Sequence, residues 1–242
     1  MTIRLSVVIP VKDDAEALER CLDALGRQTV RPWEVVVVDN GSRDGSARVA
    51  LRHGARVVPE PAPGIPAAAA TGYDAATGDV IVRCDADTVP PRWWLEQVAE
   101  AFEADPALDA LTGAGDFYDV RTVRARLLHR LYLATYYVTM HAAMAHAPLW
   151  GSNMALRADR WRAVSAAVHR ADPELHDDVD LAMVLGPRLR VRYDASLRVG
   201  VSARSLRGGA DGRRRMRRAV RTLSVNWATA PPWERWALRL RG

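Results

Sequence analysis

The apolar positions of the N-terminal half fall into short unbroken runs separated by helical stretches. Leu5-Ser6-Val7-Val8-Ile9 is mostly β-branched and stops at Pro10. Ala17, Leu18, Cys21, Leu22 and Leu25 then recur at three- and four-residue spacings, which predicts a helix. Val35 to Val38 is a second strand-like run ending at Asp39, Ser42 to Arg52 reads as a helix, and Arg56-Val57-Val58 as a short third strand. Ala67 to Ala76 is helical, and Val80-Ile81-Val82 is a fourth strand running into Cys84-Asp85. Runs without polar alternation fit strands covered on both faces, and the alternation of strand and helix predicts a mostly parallel α/β sheet with right-handed crossovers.

The second half is less regular. Trp93 to Phe102 reads as a helix, Leu108 to Thr112 as a strand, Met154-Ala155-Leu156 as a strand and Asp159 to Val168 as a helix, with two short strands near 190–201. Val123 to Ala145 is a long helical stretch whose part from Leu131 onward has no charge apart from His141. It is too short to span a bilayer, so a buried helix is expected, with a helix lying in a membrane interface as the alternative. Gly208 to Gly212 resembles a linker and sets apart the last residues.

In parallel sheets ligands sit beyond the carboxyl ends of the strands. Those ends here carry Lys12-Asp13-Asp14, Asp39-Asn40-Gly41-Ser42 and Asp85-Ala86-Asp87, so three carboxylate sites converge on one edge. Asp13, Asp14, Ser42 and Asp44 can each be read as a helix N-cap. Asp85 and Asp87 lie ahead of a helix that starts near Pro91-Arg92 and have no such duty. Like charges this close call for a cation or hydrogen-bond donors.

Charge adds a second pattern. The chain of 242 residues has a net charge of +5, yet residues 186–242 carry +12 and residues 1–185 carry −7. A basic tail on an acidic body points to an anionic partner such as a phosphate or a membrane surface, although a chain with Lys12 as its single lysine also reflects an arginine-rich composition. Two cysteines, Cys21 and Cys84, exclude a disulfide framework or a cysteine-rich zinc module. No leader pattern and no long apolar run is evident, so a cytoplasmic domain is expected, peripheral on the inner face of the membrane if the tail binds there. Carboxylates at the sheet edge would repel phosphates, so no nucleic-acid partner is expected.

Five blocks in order carry a family resemblance. They are Val7 to Val11, Val37 to Ser46 (Val-Val-Asp-Asn-Gly-Ser-Arg-Asp-Gly-Ser), Gly78 to Asp87, Gly151-Ser152-Asn153 and Asp177-Asp178-Val179-Asp180-Leu181. Over roughly residues 3–205 the chain resembles the inverting family 2 glycosyltransferases of the GT-A fold. That resemblance implies a Rossmann-like sheet flanked by helices and a metal-dependent transfer of one sugar from a nucleotide-sugar donor, UDP-sugar favoured, to an acceptor sugar, lipid or small molecule. It implies that Pro10 and Val11 line the base pocket, that Asp39 bonds the base, and that Asp85 touches the ribose or the metal. Asp87 would bind Mg²⁺ or Mn²⁺, Gly151, Ser152 and Asn153 would border the acceptor, and Asp178 would be the general base. The chemistry fits these residue types, because a hard cation neutralises a leaving diphosphate and a carboxylate takes the proton of an attacking hydroxyl.

Departures sharpen the expectation. The family's Glu-Asp pair is Asp177-Asp178 here, which shortens the acid beside the acceptor. Ala69-Ala70 stand where many relatives carry Arg-Asn, leaving a diphosphate contact to be supplied elsewhere, and Arg204 and Arg207 after the last strand are candidates to close over the donor. No Gln-x-x-Arg-Trp motif of processive synthases occurs, which points to single transfer. The division expected is a glycosyltransferase domain over 1–207, with a nucleotide-binding half to about 90 and an acceptor half over about 91–207, followed by a basic helical tail over 208–242. The tail's arginines and tryptophans predict a membrane-surface contact or a helix packed on the domain. A non-catalytic nucleotide- or lipid-binding relative of the same fold is the competing reading.

Overall fold

The computed structural model describes residues 3–120, 122–206 and 210–241. The strands are β1 (Leu5–Val11), β2 (Glu34–Asp39), β3 (Arg56–Pro59), β4 (Val80–Arg83), β5 (Ala110–Phe117), β6 (Met154–Arg157) and β7 (Val191–Val201). They form one sheet in the order β3-β2-β1-β4-β6-β5-β7. β1 to β4 pair in parallel, β6 runs antiparallel to both β4 and β5, and β7 is parallel to β5. The expectation of a mostly parallel sheet therefore holds, with β6 as its one reversed strand among the described residues.

Alternate residues of the central strands enter two separate cores, which is why their sequences are apolar throughout. Val7 and Ile9 pack with Leu18 and Leu22 of α1 (Ala15–Leu25), Val49 of α2 (Ser46–Arg52) and Trp94, Val98 and Phe102 of α4 (Trp94–Ala104). Val8, Val36 and Val38 pack on the other face against Ala68 to Ala70 and Tyr73 of α3 (Ile65–Ala75). Gly72 lets α3 come this close, because a Cβ there would lie 2.4 Å from Val8 Cγ1. The second layer also holds α5 (Val123–Met144), α6 (Ala158–Val164) and α7 (Asp177–Leu185).

Four sequence expectations are corrected. The helix expected from Ser42 starts at Ser46, because Ser42 N donates to Asp39 Oδ1 at 2.9 Å and Gly41 turns with φ +73°. The helix expected to Val168 ends at Val164, and the chain then turns so that His169 N donates to Asp180 Oδ2 at 2.8 Å. The two strands expected near 190–201 are one strand, β7, broken in register where Gly113 faces Asp194 and Ala114 faces Arg198. Finally, α5 is not a buried helix. Leu133, Met140 and Met144 face the core, while Leu127, Leu131 and Val138 face solvent.

The basic C-terminal segment forms two helices, α8 (Ala210–Trp227) and α9 (Pro232–Leu240), that pack on the domain. Arg207, Gly208 and Gly209, with the expected domain boundary, lie outside the described residues. In α8, Arg214 and Arg221 pair with Glu174 and Asp172, both at 2.7 Å, and Asn226 Nδ2 donates to Asp180 Oδ1 at 2.8 Å. Trp227 and Trp236 donate their indole N–H groups to Ala143 O and Ala142 O, at 3.2 and 2.9 Å. Among the described residues no helix is long and apolar enough to cross a membrane.

Arg235 is the anchor of α9. It is buried, and it donates from Nε to Met144 O at 3.0 Å and from Nη2 to Met183 O at 2.9 Å. A cation thus meets the carbonyl ends of both α5 and α7, where helix dipoles are negative. Charged hydrogen bonds of this kind contribute roughly 1.5–3 kcal/mol each, so Arg235→Ala is expected to cost about 2–4 kcal/mol. Urea denaturation of the two proteins measures the difference, and an unchanged midpoint would show that α9 docks without this contact.

Candidate active site

The register Val11↔Asp39 puts the ends of β1 and β2 side by side, so Pro10, Val11 and Asp39 form one edge of the site. The loops beyond them are stitched together rather than free. Arg43 N donates to Asp13 Oδ1 at 2.7 Å, Asp13 N to Ser42 Oγ at 3.1 Å and Ala15 N to Asp44 Oδ2 at 2.9 Å. The capping role read for Asp44 is thus met across the two loops: it closes the first turn of α1 and also takes Ser46 N at 2.9 Å. Asp14 precedes α1 without a side-chain cap bond, and its carboxylate is spent elsewhere.

It is spent on Arg204. This residue sits in a short 3₁₀ turn after β7 (Ala203–Leu206), pairs with Asp14 and donates from Nε to Asp87 Oδ2 at 2.9 Å. Arg204 therefore bridges the first and third acidic strand ends. Asp87 is mostly covered, and Tyr118 Oη donates to its carbonyl at 3.1 Å. Burial, reinforced by Asp85, pushes the Asp87 carboxyl up to about 6 against the pull of Arg204.

The centre of the site is Arg83, which the sequence reading passed over. It closes β4, is 2% exposed, bonds Asp177 through Nη1 and donates from Nη2 to Asp85 Oδ1 at 3.1 Å. Burial opposes its charge, but Asp177 leads a set of neighbours that hold the guanidinium well above its ordinary pKa. Burial likewise pushes the Asp177 carboxyl up to about 7, outweighing Arg83, and the charges of Asp178 and Asp85 add to the push. The signal in the sequence was a charged residue ending a four-residue buried strand. A buried arginine needs acids around it, and here they come from the strand end and from α7.

The turn before β6 ties these acids together. Gly151 N donates to Asp178 Oδ2 at 2.8 Å, and Ser152 Oγ bonds Asp85 Oδ2 at 2.5 Å. Gly151 is required here, because a Cβ would lie 2.5 Å from Arg83 Nη1. Val179 N donates to Asp178 Oδ1 at 2.8 Å, so the first turn of α7 orients that carboxylate. Of the three turn residues, Asn153 does not reach the cleft. It is fully buried, accepts from Trp94 Nε1 at 2.9 Å and donates to Ala114 O and Leu197 O at 2.9 and 2.8 Å. Its side chain pins the turn to the irregular β5–β7 pairing, whereas Gly151 and Ser152 bond the acids Asp178 and Asp85. Ala69 and Ala70 are buried against the sheet and contribute no polar group.

The structure thus gathers Pro10, Val11, Asp39, Asp85, Asp87, Gly151, Ser152, Asp177, Asp178 and Arg204 at the carboxyl end of the sheet, with Asn153 beneath them. A cleft lined by Gly115, Asp116, Phe117, Tyr118 and Arg130 opens beside Asp87. Asp85 and Asp87 offer hard carboxylate oxygens. Among the described residues no three acidic, histidine or cysteine side chains cluster as a complete metal cage.

A mostly parallel sheet with acids at its carboxyl edge and a second acidic pair on α7 gives the chain an α/β architecture with one polar edge. The comparisons are specific. Residues 6–165 match the family described as Glycosyl transferase family 2, and the chain belongs to that family. It is 35% identical over 101 residues to the Haloferax volcanii glycosyltransferase AglE, covering 38% of this chain and 33% of that protein. It is 32% identical over 182 residues to an undecaprenyl-phosphate 4-deoxy-4-formamido-L-arabinose transferase of Pectobacterium carotovorum, covering 68% of this chain and 51% of that protein. The chain thus spans between a third and about half of these relatives' length. In fold it is similar to the Pyrobaculum calidifontis mannosyltransferase PcManGT, solved with GDP-Man and Mn²⁺ (TM-score 0.70, 22% identity, 99% of this chain and 69% of that one). It is also similar to the Mycobacterium tuberculosis glucosyl-3-phosphoglycerate synthase, solved with UDP (TM-score 0.65, 21% identity, 93% and 80%). These neighbours show the GT-A fold.

The raised Asp177 carboxyl has a measurable consequence. Folded, it keeps its proton to about pH 7, and unfolded to about pH 4. Its contribution to stability is therefore complete below about pH 4 and is lost as the pH rises through about 7. Asp177→Asn removes this dependence. Denaturant titrations from pH 4 to pH 7 are expected to show the variant gaining stability relative to the parent as pH rises. A constant difference across that window would mean that Asp177 is ionised throughout.

Proposed function

We propose that the chain transfers a single sugar from a nucleotide-sugar donor, UDP-sugar favoured, to an acceptor oxygen with inversion, using Asp178 as general base. One observation carries this reading. Adjacent residues of one turn, Gly151 and Ser152, bond Asp178 and Asp85, so the proposed base stands next to the proposed donor-binding acid. Each carboxylate oxygen has a second lone pair, so Asp178 can still accept an acceptor hydroxyl while Gly151 N and Val179 N hold its orientation. The acceptor approaches from the side of Asp178, and the donor's leaving group lies toward Asp85 and Asp87.

Pro10, Val11 and Asp39 would take the nucleoside, Asp39 through the oxygen that Ser42 N leaves available. Asp85 and Asp87 would hold a Mg²⁺ or Mn²⁺ ion. The donor set fits such an ion, which commonly takes one or two carboxylates and completes its shell with substrate phosphates. When bound, the ion neutralises charge growing on the departing diphosphate. Arg204, beside Asp87, would take the diphosphate and serve where Ala69-Ala70 leave no polar contact. Arg83 keeps Asp85 and Asp177 from repelling each other. Asp177 bonds Arg83, which leaves Asp178 as the acid of the pair for the acceptor. Two of the similar structures were solved with a nucleotide or nucleotide sugar, one of them with Mn²⁺, and one relative is named for a lipid-phosphate acceptor, which supports the donor and metal and admits a lipid-linked acceptor.

A melting panel of UDP, GDP, TDP and CDP, each with Mn²⁺ and with EDTA, tests the donor half. One nucleotide should raise the midpoint in Mn²⁺ and not in EDTA, and Asp87→Ala should remove that shift. Asp178→Asn should keep the shift and slow transfer by about 10²- to 10⁴-fold, the usual range for a general base. A panel with no shift would favour the non-catalytic reading.

A further inference from the structure

The outer face of α5 runs against the habit of a surface helix. Leu127, Leu131, Ala134 and Val138 recur at spacings of four, three and four, which aligns them along one stripe. Leu127, Leu131 and Val138 are 67%, 60% and 70% exposed. The helix holds no Asp or Glu in 22 residues, and Arg124, Arg126 and Arg130 stand in its first turns. The stripe does not stop at the end of α5. Trp236 of α9 meets His141 edge to face at 5.6 Å, and Trp233 and Leu240 on the exposed side of α9 are 71% and 80% exposed. Tyr132 is also exposed. Contiguous exposed apolar surface of this kind marks an interaction site.

We infer that this α5–α9 face rests on an anionic phospholipid bilayer. Charge complementarity selects the occupant. By sequence α5 carries Arg124, Arg126 and Arg130 and no acid, α9 ends at the exposed Arg241, and the one acid of the two helices is Glu234. Apolar side chains with interfacial aromatics and an arginine edge match the acyl boundary and the anionic headgroups of a bilayer. A second copy docking through the same face would set cationic edges against each other. The inference relocates the membrane contact expected for the basic tail. Of the six arginines of α8, Arg214 and Arg217 pair with Glu174, Arg221 with Asp172, and Arg218 donates to Pro173 O, whereas α5 and α9 together carry the longer exposed apolar stripe.

The position of this face also matters for the site. Arg130, next to Leu131, lines the cleft that opens at Tyr118 and Asp87. On the inner side of the same helix, Tyr137 Oη donates to Gly113 O at 2.7 Å and Tyr136 Oη to Leu149 O at 3.4 Å. A molecule lying in the bilayer under α5 therefore meets the cleft at its polar end. That the bilayer delivers the acceptor rests on the glycosyltransferase reading above, whereas the surface itself does not.

The test is co-sedimentation of the whole chain with vesicles of phosphatidylcholine alone and of phosphatidylcholine mixed with phosphatidylglycerol, without donor. Binding to the mixed vesicles that weakens with salt is expected, and the double variant Leu131→Gln, Val138→Gln should bind about tenfold more weakly. Both positions are exposed, so the variant's melting midpoint and its nucleotide-induced shift should match the parent. Equal binding by parent and double variant would overturn the inference, as would no binding together with a concentration-dependent dimer that the variant abolishes. Vesicle binding and the nucleotide panel are independent, so failure of one leaves the other standing.

Discussion

A guanidinium buried at the end of β4 holds the candidate site together. Arg83 lies between Asp85 and Asp177, with Asp178 close behind, and each of these acids would repel the others without it. Taking so many charges out of water is costly, and mutual pairing offsets the cost. The fold meets that demand from three directions. β4 supplies the arginine, α7 supplies the acidic pair, and the turn before β6 supplies a glycine flat enough to let the guanidinium lie against its backbone. Because Ser152 and Gly151 each bond one of these acids, the spacing between the strand-end acids and the helix acids is set by a single short turn.

A second arginine repeats the device at the other side of the site. Arg204 ties the segment after β7 to Asp14 and Asp87, and so joins the last strand to the first loop. The two arginines divide the acids into two pairs, one around the buried Arg83 and one around the half-exposed Arg204. In the proposed reaction Arg204 would be the side chain that exchanges a carboxylate for a phosphate. Such a division suits an enzyme that binds an anionic donor at an acidic edge, since neutralising groups are already in place when the donor arrives.

The C-terminal helices show the same economy of charge. Arg235 joins the ends of α5 and α7, and Asp180 joins α7 to His169 and to Asn226 of α8. α7, which carries the proposed base, is therefore clamped on its outer side by the segment that the sequence suggested was a tail. The basic character of that segment is largely used within the chain, and the apolar character of α5 is what remains unmatched at the surface.

Much of this was legible in the sequence because it is local. β-branched runs without polar alternation predicted strands covered on both faces, and the strands observed are those runs lengthened by one or two residues, as Leu5–Val11 and Val80–Arg83 show. The acids at the strand ends and the Asp177-Asp178 pair were recognisable for the same reason, since a motif is a spacing along the chain. Folding alone decided which charge meets which. Asp14 and Arg204 are 190 positions apart, and Arg83 and Asp177 are 94 apart, and no periodicity connects them. The tertiary structure also decided that Asn153 faces inward, that one irregular strand replaces two, and that Leu127, Leu131 and Val138 of α5 meet solvent. Hydrophobic pattern reports that a side chain prefers burial, but whether anything is there to bury it depends on what the rest of the chain packs against that face.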